Sequence, residues 1–160
     1  MSIRLALDAP SRYRAVAAIA ASVATAENFK CRPTCSGTSV MMMNGTKDPI
    51  VPFAGGEVNL LGYFYEGGKV RSARESGQYF ADHNKMGGVA TLTETPLSDG
   101  VSMAQFLWRN DRDEVELVAL HGGGHGLPQP YWRRLRLLGP SSMAPDGPAM
   151  IWAFFVRQRR

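Results

Sequence analysis

The chain has 160 residues, enough for one domain with a sizeable core. Its 44% apolar and 20% charged content is that of a globular protein and excludes a disordered or low-complexity chain. The net charge of +4 is weak and no recognition pattern accompanies the arginines, so no nucleic-acid partner is expected.

Residues 2–9 read as a helix, with Ile3, Leu5, Ala6 and Leu7 as its apolar surface and Pro10 as its stop. Residues 15–21 form a short apolar run whose length favours a strand. A loop over 27–37 holds the only cysteines, Cys31 and Cys35. A four-ligand zinc site needs a second such pair, so a local disulfide or free thiols are expected. Residues 38–43 are the clearest strand. The run Val40–Met43 has no polar alternation, as in a parallel strand covered on both faces, and Asn44-Gly45 ends it.

Residues 46–56 read as a loop. A helix is expected over 73–83, started by Ser72 and Glu75 at capping-box spacing, with His83 solvent-exposed at its end. Residues 91–100 read as loop. Residues 103–109 and 114–121 read as strands joined by a turn at Asn110-Asp111; Ala104, Phe106 and Trp108 share a face of the first, and Val115, Leu117 and Ala119 share a face of the second. A last helix starts near Asp146, with Pro148 in its first turn; its all-round apolar body predicts substantial burial. The arginines at 133, 134 and 136, and at 157, 159 and 160, read as solvated faces. No run is long enough for a membrane span, and residues 1–9, with Arg4 and Asp8, are not a signal peptide.

Strands alternating with helices predict an α/β fold, in which reactive groups sit in loops at the carboxyl ends of parallel strands. Two loops qualify. Asp48 follows the strand at 38–43, and an acid there can orient a histidine, although a turn aspartate before proline is also common. His125 follows Gly122-Gly123-Gly124, which lets the loop turn tightly and present an imidazole near its working pH. The string His121-Gly122-Gly123-Gly124 has the composition of a lipase oxyanion loop, but it lies too late in the chain for that role. His121 and His125 have the spacing of helical zinc ligands, but the glycines between them break any helix; no metal is expected. Acid before histidine is the chain order of an α/β-hydrolase triad, in which a serine on a Gly-x-Ser-x-Gly turn comes first. No such turn is present in the sequence.

These motifs resemble the polyhydroxybutyrate depolymerase and feruloyl-esterase-type esterases of the α/β-hydrolase superfamily. The resemblance is carried by Gly45-Thr46-Lys47-Asp48-Pro49-Ile50-Val51-Pro52-Phe53-Ala54-Gly55-Gly56, by Gly122-Gly123-Gly124-His125 with Pro128, by Ile151-Trp152-Ala153-Phe154-Phe155, and by the opening Met1-Ser2-Ile3-Arg4-Leu5-Ala6 with the following Ala9-Pro10-Ser11-Arg12-Tyr13-Arg14-Ala15-Val16-Ala17. It is collinear over nearly the whole chain. Asn44 departs from the family's usual histidine, and Gly126-Leu127 stand where it often has an aromatic residue.

The resemblance implies that residues 1–160 are one partial domain, the C-terminal half of an α/β-hydrolase three-layer sandwich, with the serine about 4 residues before Met1. It implies a carboxylic ester hydrolase of polyhydroxyalkanoate or feruloyl type, extracellular or periplasmic, inactive in this piece. Asp48 and His125 would be catalytic, and Tyr131 and Trp132 would border the substrate. No cofactor is implied. The incomplete sheet would leave an open edge at residues 15–21, suited to self-association. The alternative is a non-catalytic α/β ligand-binding module or a vestigial pseudoenzyme.

Overall fold

The computed structural model describes residues 1–59, 66–97, 101–133 and 135–159. The elements are α1 (Ser2–Asp8), β1 (Ala15–Ile19), β2 (Ser39–Gly45), β3 (Gly56–Asn59), β4 (Glu66–Val70), α2 (Ala73–His83), β5 (Thr91–Pro96), β6 (Ser102–Arg109), β7 (Glu114–His121) and α3 (Gly147–Arg157). Five strands form one mixed sheet in the order β1-β2-β7-β6-β5. β1, β2 and β7 run parallel, whereas β6 and β5 extend the sheet antiparallel. The chain is therefore mixed α/β.

Alternation along the strands builds two cores. Val40 and Met42 of β2 join Leu7 of α1, Phe80 of α2 and Trp108, Val115 and Leu117 on one face. Met41 and Met43 join Val118, Leu120 and Phe154 of α3 on the other. All seven residues of β2 are buried, as its unbroken apolar run requires. The α2 capping box forms as expected: Ser72 Oγ accepts from the Glu75 N–H at 3.1 Å, and Glu75 Oε2 accepts from the Ser72 N–H at 2.9 Å. Mid-helix Gly77 lets α2 settle on the sheet, since a Cβ there would lie 3.0 Å from the Trp108 ring.

The expectations for residues 91–96, for α3 and for His83 are corrected. Residues 91–96 are a strand, not loop; among the described residues β5 is an exposed edge paired only with β6, so it has little apolar alternation, and the β-branched Thr91, Thr93 and Thr95 were its signal. The remaining residues 98–100 of that expected loop lie outside the described residues. The hairpin β3–β4 was not legible in its glycine-rich, solvent-facing sequence. Helix α3 is only partly covered: Phe154 is buried, but Trp152 and Val156 are exposed, because the helix packs on the sheet by one side and no described layer lies outside it. His83 is half-buried rather than solvent-exposed, with its ring stacked on Tyr79.

The strand expected over 15–21 ends at Ile19, and Ala20 turns the chain in the left-handed region at φ 49. β1 pairs with β2 alone, so its outer edge is open among the described residues. Cys31 and Cys35 are free thiols. No helix among the described residues is long and apolar enough to cross a membrane. Of the arginine clusters, Arg134, Arg160 and the side chain of Arg136 lie outside the described residues.

Candidate active site

Asp48 and His125 meet at the carboxyl ends of β2 and β7, which are adjacent and parallel. Neighbouring strands lie about 4.8 Å apart, so loops leaving the same end of such a pair are within side-chain reach of each other. His125 Nδ1 lies 2.9 Å from Asp48 Oδ2 and 3.1 Å from Oδ1. The Asp48 side chain is 1% exposed and that of His125 is 28% exposed. The acid is thus shielded, while part of the imidazole reaches solvent.

Asp48 also closes its own turn. Its Oδ1 accepts from the N–H groups of Ile50 and Val51 at 2.8 and 2.9 Å. The turn-aspartate role and the histidine-orienting role coexist in one carboxylate. The backbone donors fix its plane, and Oδ2 is left to the imidazole. With Nδ1–H donated to the carboxylate, Nε2 is the free nitrogen and can accept a proton.

The two loops are tied by backbone contacts. The Thr46 N–H donates to Leu120 O at 2.9 Å, the Lys47 N–H to Gly123 O at 2.8 Å, and the Gly122 N–H to Thr46 Oγ1 at 3.0 Å. The contact tolerates no side chain at its centre. A Cβ on Gly45 would fall 2.3 Å from Gly123 O and 2.4 Å from Gly124 O, and one on Gly124 would fall 2.5 Å from Leu138 O. Gly45 and Gly124 are therefore packing requirements between backbones, while Gly122 turns the chain at φ 87.

Asn44, where the esterases carry histidine, is buried at the end of β2, and its Nδ2 donates to Ala21 O at 3.1 Å. It ties the segment after β1 to the end of β2. Sequence reasoning marked it as a departure but missed this contact; the signal was one amide at the end of an apolar strand. The roles of Gly45 and Thr46 were missed as well, since contacts between distant loops leave no local pattern.

Tyr131 and Trp132 are not part of the hydrogen-bonded pair; they are 75% and 61% exposed. Their segment is fastened to the histidine loop, because the His125 N–H donates to Leu138 O at 2.7 Å and the Gly124 N–H to Pro140 O at 2.8 Å. His121 ends β7 and His125 faces Asp48, so the two do not share a helical face. Among the described residues, no group of three or more His, Cys, Asp or Glu is arranged to hold a metal.

No protein-family model and no curated protein matches the chain. The functional reading therefore rests on the site and on the resemblance of its motifs.

Proposed function

We propose that this chain is the acid–histidine part of a serine-type carboxylic ester hydrolase with an α/β-hydrolase fold. The observation that carries the reading is the buried Asp48 carboxylate on His125 Nδ1, built from loops at the ends of adjacent parallel strands. In that role His125 Nε2 takes the proton of a serine hydroxyl as it attacks the ester carbonyl, and later gives it to the departing alcohol. Asp48 holds the tautomer and stabilises the imidazolium.

The serine and the oxyanion donors belong to sequence outside these 160 residues, which hold no Gly-x-Ser-x-Gly turn. A cavity of about 370 Å³ lies between the first turn of α1 and the end of β1, lined by Met1, Ile3, Ile19 and Ser22. On this reading the 160-residue piece is inactive alone, and the whole enzyme is extracellular or periplasmic and acts on polyhydroxyalkanoate-type or feruloyl-type esters. The open edge of β1 would pair with a preceding strand or support self-association.

The test is to read the DNA in frame upstream of the Met1 codon and express the extended chain. A Gly-x-Ser-x-Gly turn leading into α1 is expected, with p-nitrophenyl ester turnover abolished by Asp48→Ala and by His125→Ala. A stop codon before any such turn, or turnover indifferent to both substitutions, refutes the proposal.

A further inference from the structure

Helix α3 has two apolar sides. Phe154 is buried, and Met150, Ile151 and Phe155 pack beside it on the sheet. The opposite side carries Ala149, Trp152, Ala153 and Val156, all exposed, with Trp152 at 60% and Val156 at 44%. Their i, i+3, i+4, i+7 spacing makes one continuous seam along the helix.

The seam ends in opposite charges. Asp146 caps the helix with one carboxylate oxygen, which accepts from the Ala149 N–H at 3.0 Å; its other oxygen has no partner among the described residues. At the far end Arg159 lies over the exposed Trp152 ring, 5.1 Å from its centroid, and meets no carboxylate among the described residues. Arg157 is already committed to Glu114 and Glu116.

A seam of this pattern is complementary to itself. Four residues at i, i+3, i+4 and i+7 outline the hole that receives a knob from a facing helix. Two alanines deepen that hole, and Trp152 is a knob large enough to fill it. A symmetric contact between identical chains needs both features on one patch. When two copies lie antiparallel, Trp152 of each enters the hole of the other. Arg159 of one copy then comes to the end that holds Asp146 of the other, and the helix dipoles are opposed. A lipid surface would use Trp152 and Val156 but gains nothing from an acid at the end of the seam.

We propose that the outer face of α3 is the interface of a symmetric, antiparallel dimer of this chain. The contact uses neither Asp48 nor His125 and stands apart from the acid–histidine reading. An 11-residue helix buries little surface, so the dimer is weak, with a Kd on the order of 10 µM.

The test is sedimentation velocity of the full 160-residue chain across that concentration range. A monomer–dimer equilibrium is expected. Trp152→Glu should weaken it about a hundredfold, while urea unfolding of the dilute monomer stays unchanged because this side chain stands in solvent. Asp146→Asn keeps a capping side chain but removes the charge. It should weaken the dimer about fivefold at low salt, with the difference fading at high salt. Cross-linking in a Cys31→Ser/Cys35→Ser background reads the orientation. Ala149→Cys mixed with Val156→Cys should give a disulfide-linked heterodimer, and Ala149→Cys alone should give none. A chain that stays monomeric at hundreds of micromolar, whether or not Trp152 carries it to phosphatidylcholine vesicles, would overturn the proposal. So would a dimer that Trp152→Glu leaves intact, or Ala149→Cys coupling chiefly to itself.

Discussion

Replacing Asp48 by asparagine and by alanine should separate its two roles. Its carboxylate accepts from three donors: the Ile50 and Val51 N–H groups at Oδ1, and His125 Nδ1 at 2.9 Å from Oδ2. In Asp48→Ala all three lose their acceptor. An unsatisfied buried donor costs about 1–3 kcal/mol. The imidazole is partly exposed and can turn to water, so the two backbone donors dominate, and a loss of about 3–5 kcal/mol is expected. Total stabilities of about 5–15 kcal/mol leave such a variant measurable in urea.

Asp48→Asn is isosteric. Its amide oxygen can keep both backbone donors, with the bonds weakened to roughly half by loss of charge, so about 1–2 kcal/mol is expected. The amide NH₂ then faces His125. Turning it round would set the NH₂ against the Ile50 and Val51 N–H groups, which is worse. A donor facing Nδ1 forces the neutral imidazole into the Nε2–H tautomer, which cannot act as a base at Nε2. Urea unfolding of the three proteins and ¹⁵N spectra of the His125 ring measure both effects. Equal stability of the two variants, or a retained Nδ1–H tautomer in Asp48→Asn, would refute the reasoning.

Further outcomes follow from other contacts. Gly45→Ala puts a methyl 2.3 Å from Gly123 O; the loops must part, and the expected result is a loss of stability of about 1–3 kcal/mol, read by urea unfolding, with weakening of the Asp48–His125 bond in the ring spectra. Ser76→Ala removes the buried acceptor 2.9 Å from the Val23 N–H and should cost about 1–3 kcal/mol in urea unfolding. Burial pushes the Glu114 carboxyl up, but hydrogen bonds from Arg157 and Arg109 outweigh it and hold it below the ordinary value. A depressed carboxylate stabilises the fold above the unfolded value of about 4.3 and loses that contribution as pH falls through the folded value. Unfolding free energies measured from pH 7 down to pH 3 should therefore fall more steeply in the parent than in Glu114→Gln.

Elements with a strong local or periodic signal were legible in the sequence. The capping box placed α2, the continuous apolar run placed β2, and the shared face of Ala104, Phe106 and Trp108 placed β6. What failed was structure stabilised without an apolar face. β5 and the β3–β4 hairpin are held by backbone pairing at exposed positions, where the side chains carry no apolar periodicity. α3 failed in the opposite sense. Its sequence gives apolar content but does not say how many neighbours cover it.

The site was legible as residues and order, but not as packing. Asp48 and His125 could be named because parallel strands place loop residues at one edge, and the chemistry of acid and imidazole narrows the choice. The three glycines before His125 were legible only as freedom to turn. Gly124 is held close by the Leu138 and Gly139 backbone, and Gly123 and Gly124 in turn leave no room for a side chain at Gly45, a constraint between distant segments that is invisible to any local window. That constraint bears on function. Backbone contact at Gly45, Gly123 and Gly124 leaves the loops no slack, so the 2.9 Å bond between carboxylate and imidazole is set by main-chain geometry rather than by flexible side chains. A catalytic base gains from such support, because orientation fixed before the reaction needs no reorganisation during it.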